Sequence, residues 1–142
     1  MKRAYRALYA FIVILMSLCC GCRFFGPQQY ICVAENVKSI QIVKLDTYKP
    51  DTYSYDYTVL CEISDKAAFV EQLNNLKHKT HGGGPKTLSV GYVVIRVEYI
   101  NDDYDFIYHR AQWFHRDGKT NSGYFLFDQA EYDALISTYL TQ

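Results

Sequence analysis

The sequence predicts an α+β fold: an antiparallel sheet with two helices packed on one face, in the order ββαβββα. Three observations predict it. Residues 53–63 alternate apolar and polar with period two, as a half-buried strand does. The segments that follow Asp65 and Asp128 carry apolar residues at helical spacing. The strands are joined by turns too short for parallel neighbours, which need a long crossover. Helices gathered on one side of such a sheet make an α+β sandwich.

The chain begins with Lys2, Arg3 and Arg6, then an apolar stretch from Ala7 to Leu18 with one serine, then Cys19-Cys20-Gly21-Cys22. That order is the pattern of an export signal, and the apolar run is shorter than the roughly 20 residues of a membrane-spanning helix. Residues 1–22 resemble a bacterial lipoprotein signal, in which a small residue precedes a cysteine that is acylated and becomes the new N-terminus. The resemblance implies lipidation of Cys22 after Gly21. Cys19 stands where leucine is usual in that pattern, which leaves Cys20 as an alternative. It also implies a bacterial cell-membrane protein, held by its N-terminal lipid and facing outside the cytoplasm. Residues 1–21 are then signal, 22–36 a tether, and 37–142 one globular domain.

Residues 23–36 contain a Gly-Pro break and little periodicity, so they read as tether. Residues 37–45 form a first strand, and Pro50-Asp51 marks a turn. In the second strand Tyr53, Tyr55, Tyr57, Val59, Cys61 and Ile63 share one face, with Leu60 as the exception on the other. Ser64 or Asp65 caps a helix with Phe69, Leu73 and Leu76 on its apolar stripe, ending near Lys77. The glycines and proline of residues 78–86 form a loop. Residues 88–100 make a third strand, Asn101-Asp102-Asp103 a hairpin turn, and 104–115 the returning strand. Asp117-Gly118 turns the chain into a last strand, 122–127. Asp128 and Glu131 stand at capping-box spacing before a helix faced by Tyr132, Leu135, Ile136, Tyr139 and Leu140. From residue 37 on, the Tyr-rich sheet and the terminal FLFDQAEYDALISTYL resemble small bacterial lipoprotein domains of unknown function, especially Gram-positive ones. That resemblance implies no catalytic residues.

Composition narrows the function classes. Setting aside Lys2, Arg3 and Arg6 leaves twelve basic against fifteen acidic residues, a net charge of −3. Such a domain is a poor nucleic-acid binder and gains nothing from anionic lipid. Twelve of the fourteen tyrosines follow the signal. Tyrosine fits half-buried strands and also recognition surfaces. Tyr48, Tyr53, Tyr55, Tyr104 and Trp113 are the candidate ligand surface. Cys32 and Cys61 are a candidate disulfide, whose loop of about 30 residues would add roughly 3–4 kcal/mol. The alternative is that Cys61 is a small buried apolar residue.

Motifs with catalytic chemistry lack their partners. His81-Gly82-Gly83-Gly84 matches the oxyanion loop of esterases, but no Gly-x-Ser-x-Gly accompanies it and Ser89 sits on no nucleophile elbow. Pro85 stands where a phosphate loop needs glycine before Lys86-Thr87. Asp105, His109 and His115 share strand parity, yet spacings of four and six separate them by about 13 and 20 Å. Zinc would need further ligands such as His78 or His81. The turn Asp102–Asp105 lacks the glycine and terminal glutamate of a calcium loop. Nothing singles out a pair among Glu62, Glu98 and Asp105 for acid–base work. The expectation is therefore no metal, no cofactor and no catalytic residue. The function expected is a tethered, non-catalytic binding module for an envelope protein or glycan. The alternative is an inhibitor or immunity-type protein that blocks a toxin or hydrolase outside the cytoplasm. A small hydrolase built on the His81–Gly84 loop ranks last.

Overall fold

The computed structural model of the protein describes residues 31–78, 88–116, 119–123 and 127–141. The elements are β1 (Val37–Lys49), β2 (Ser54–Glu62), α1 (Lys66–Asn74), β3 (Val93–Tyr99), β4 (Tyr104–Tyr108), β5 (Ala111–Arg116), β6 (Lys119–Gly123) and α2 (Gln129–Leu140). The six strands form one sheet in the order β2-β1-β3-β4-β5-β6, every neighbouring pair antiparallel. The α+β class stands, and the order differs from the expected one by a single strand. Residues 104–115 are two strands rather than one, joined by a tight turn at His109-Arg110 that pairs Tyr108 with Ala111. Neither turn residue has positive φ, so the turn needs none of the residues that usually mark one. Of the strand expected at 122–127, Ser122 and Gly123 end β6 (Lys119–Gly123), residues 124–126 lie outside the described residues, and Phe127 forms an isolated bridge to His78.

Both helices lie on one face. Phe69, Val70 and Leu73 of α1 and Tyr132, Leu135 and Ile136 of α2 pack with Ile40, Ile42, Ile95, Val97 and Ile107 of the sheet. Asp65 caps α1 by accepting from the Ala68 N–H at 3.1 Å. Asp128 caps α2 by accepting from the N–H groups of Ala130 and Glu131 at 2.9 and 3.2 Å. The second half of the expected capping box is absent. The Glu131 carboxylate instead accepts from the Lys77 N–H at 2.9 Å and pairs with Lys77 Nζ at 2.7 Å. It ties the start of α2 to the segment just past α1.

Two β-bulges bend the β1–β2 ribbon. Ile42 faces Cys61 but Val43 faces Val59, so Leu60 is an extra residue in β2; Leu45 faces Tyr57 but Thr47 faces Asp56, so Asp46 is extra in β1. A bulge re-aims the side chains beyond it and sharpens the twist. Tyr55 and Tyr57 therefore sit on the face away from the helices, while Cys61 and Ile63 join the helix-side core. The expectation that all of these share one face is corrected: Leu60, the exception to the alternation, is the bulge itself.

The expected tether also contributes to the fold. Cys32 is buried and exchanges two hydrogen bonds with the Asn74 side chain, at 2.9 and 2.8 Å. A short 3-10 turn, Ala34–Asn36, then leads into β1. Among the described residues no helix is long and apolar enough to cross a membrane.

Candidate functional site

The sheet face opposite the helices is aromatic. Val43, Leu45, Tyr55, Leu88, Val94, Phe106 and Trp113 form a second core there, bordered by half-buried Tyr48, Tyr57, Tyr92, Tyr104 and Tyr108. No helical side chain belongs to this cluster among the described residues. In a flat sheet β1 and β5 would stand about 14 Å apart, and β2 and β5 about 19 Å. Yet Tyr48 of β1 and Tyr55 of β2 bring their ring centroids to 5.8 and 5.3 Å from Trp113 of β5. The bulged ribbon curls over the face to achieve this. It is free to do so because β1 runs on to Lys49 while its pairing with β3 stops at Lys44. The Tyr55 hydroxyl donates to the Leu88 carbonyl at 2.8 Å, and burial pushes this phenol up to about 12.

Beyond the curled ribbon the same face becomes polar. Arg96 lies 5.2 Å from the Tyr57 ring centroid and 5.6 Å from that of Tyr104, within cation–π range of both. Its Nη1 donates to Glu98 Oε2 at 2.7 Å and to Gln41 Oε1 at 3.5 Å, and Gln41 Nε2 donates to Glu62 at 2.9 Å. Lys38 Nζ pairs with Glu98 at 2.8 Å and Asp102 at 3.0 Å. The Tyr104 ring stacks flat on His115 at 5.0 Å. The result is a charged floor between two half-buried tyrosines, with an imidazole beside one of them. Flat rings next to paired amide and carboxylate groups are equipped to hold a ligand with both apolar and hydroxyl or amide surface.

The hydrogen bonds from Lys38 and Arg96 hold the Glu98 carboxyl down to about 2. A carboxyl depressed in the fold stabilises it above the ordinary value near 4.5 and loses that contribution as pH falls toward 2. Lys38 is 52 % exposed, so solvent screens the pair. The expected loss on acidification is about 1 kcal/mol. Urea unfolding at pH 7 and pH 3 checks this: Glu98→Gln narrows the stability difference between the two. Burial also lowers the pKa of His109, packed against Tyr108 and Tyr132. That separate loss begins as pH falls below about 6.5, with Asp133 and Arg110 opposing one another beside the ring.

The expected ligand residues divide three ways. Tyr48 and Tyr104 border the face, half-buried. Tyr55 and Trp113 are buried in it, at 5 % and 6 % exposure, and build the platform without being open to a ligand. Tyr53 stands apart at the tip of the β1–β2 hairpin, 62 % exposed and with φ of 49°. Sequence reasoning missed Tyr57, Arg96 and His115. The signal for Arg96 was present: Arg96 and Glu98 are two charges on one face of an otherwise apolar strand, LSVGYVVIRVEYI.

Of the candidate disulfide pair, Cys32 is buried and Cys61 half-buried, and the two are not bonded to each other. Cys32 is held by Asn74, whereas Cys61 Sγ lies 3.5 Å from the Tyr139 carbonyl. The shared parity of Asp105, His109 and His115 is corrected for His115: the turn at His109-Arg110 puts it on the aromatic face, while Asp105 and His109 stay on the helix side. Asp105 is buried among the core strands and accepts from the Tyr99 hydroxyl at 2.6 Å, while His115 is on the aromatic face. No three His, Cys, Asp or Glu side chains come within metal-holding reach among the described residues. Glu62 and Glu98 share the aromatic face through Gln41 and Arg96, and Asp105 does not join them. Cys22 and the His81–Gly84 loop lie outside the described residues. Comparison of the chain with protein-family models, with curated proteins and with solved structures finds no match.

Proposed function

We propose that this chain is a bacterial lipoprotein, anchored through acylated Cys22 outside the cytoplasm, whose domain is a non-catalytic binding module for an envelope protein or glycan. The observation that supports the binding is the aromatic sheet face, which no helix covers among the described residues. There Tyr57 and Tyr104 flank Arg96, and Tyr104 stacks on His115. Both described helices pack on the other face of the sheet, and the half-buried tyrosines border this one. Its groups suit recognition: the rings supply contact area at low entropic cost, and the charges supply orientation. The observation behind the anchor is the run from Lys2 to Cys22.

Growth with a fatty-acid analogue tests the anchor. The wild-type protein and Cys20→Ala are expected to take up label and stay with the membrane, and Cys22→Ala to do neither. Full labelling of Cys22→Ala together with loss in Cys20→Ala would move the acylated residue to Cys20. Unlabelled wild-type protein would remove the anchor altogether.

A further inference from the structure

We propose that the end of the domain carrying Ile31, Val33 and Ile100 rests on the bilayer that holds the anchor, leaving the β1–β2 hairpin pointing away. This rests on acylation at Cys22. The three side chains are 68 %, 48 % and 67 % exposed. They belong to one end of the fold. The Ile100 N–H donates to the Asn36 carbonyl at 3.0 Å, and the Asn36 N–H donates to the Val33 carbonyl at 3.0 Å. Val37 pairs with Tyr99 just behind them, and Asn74 clamps Cys32 between Ile31 and Val33. Cys32 and Val37 turn inward while Ile31 and Val33 face out. These are therefore apolar groups held on a fixed framework.

The length of chain to the anchor chooses the bilayer as the occupant. The chain from Cys22 to Ile31 spans nine residue steps. Fully extended they reach at most about 32 Å, so the acyl chains hold this end close to the lipid. The thirteen residues of the bulged β1 place the hairpin tip up to about 40 Å from this end. Among the described residues the other exposed large apolar side chains are Tyr53 at the hairpin tip, Val90 just before β3, Val59 and Leu60 on the edge strand, and Leu140 at the end of α2. Around the proposed contact Lys38 and Lys66 stand with Glu35, Asp102 and Asp103 among the described residues, so positive charge is not in excess there. Such a rim gives anionic headgroups no hold, so the contact depends on the apolar side chains. Lying down this way also keeps a binding domain from swinging freely on its tether.

The test uses the full-length acylated protein in phosphatidylcholine vesicles with brominated acyl chains. Tryptophan is placed at one end or the other, as Ile100→Trp or Tyr53→Trp, both at exposed positions. The emission of Ile100→Trp in excess of native Trp113 is expected to be quenched, and that of Tyr53→Trp to be unaffected. Exchanging part of the phosphatidylcholine for phosphatidylserine is expected to leave this unchanged. Acylated, vesicle-bound protein with no quenching at position 100, or with quenching at position 53 instead, overturns the proposal alone. Protein that lacks acyl chains and stays out of the vesicles overturns the anchoring and this proposal with it. Dimers cross-linked through position 100 without quenching would assign the patch to a second copy and overturn it as well.

Discussion

Replacing Tyr132 by alanine is expected to cost about 3–5 kcal/mol, a large share of the 5–15 kcal/mol that holds an ordinary domain together. Tyr132 is 1 % exposed and sits where α2, Phe127, Tyr108 and His109 meet. Its hydroxyl donates to the Ile107 carbonyl at 2.7 Å, so the same side chain fills the core and satisfies a buried acceptor. Tyr132→Phe keeps the ring and removes the bond, and is expected to cost only about 1–2 kcal/mol. Urea unfolding of the two variants measures both figures. A Tyr132→Ala loss below that of Tyr132→Phe would mean that α2 is an appendage and that the helix-side core ends at α1. The bond from Gln72 to Tyr139 and the packing of Tyr139 on Phe69 argue that it does not.

Local chemistry was the legible part of this fold. Asp65 and Asp128 announce their helices because a capping carboxylate acts within three residues of itself. Asn101-Asp102 announces its turn because Asp102 tolerates the positive φ of 63° found there. The turn at His109-Arg110 was hidden because neither residue has positive φ and no glycine, proline, asparagine or aspartate marks it. Leu60 was visible as a flaw in an otherwise regular pattern. Only its pairing shows that the flaw reverses the faces of Tyr57 and Cys61. Cys32 was read as tether because its partner, Asn74, is 42 residues away.

The aromatic face was half legible for a similar reason. Tyr55 and Trp113 attract notice as large rings, but composition does not separate a ring that builds a platform from one that meets a ligand. That depends on the curl of the ribbon, which two one-residue bulges produce. Arg96 shows the converse. A lone arginine in a β-branched strand is costly to bury unless partnered, and its partners come from β1, β2 and β4 as well as from Glu98 on its own strand.

The most direct test of the proposed binding through the aromatic face is photo-cross-linking of the full-length protein in the cells that make it. A photoreactive phenylalanine replaces Tyr57 on that face, or Ser137 on the exposed side of α2. A discrete adduct from position 57 and none from position 137 is the predicted result. An adduct from position 137 alone would place the partner on the helical side and contradict the assignment of the aromatic face.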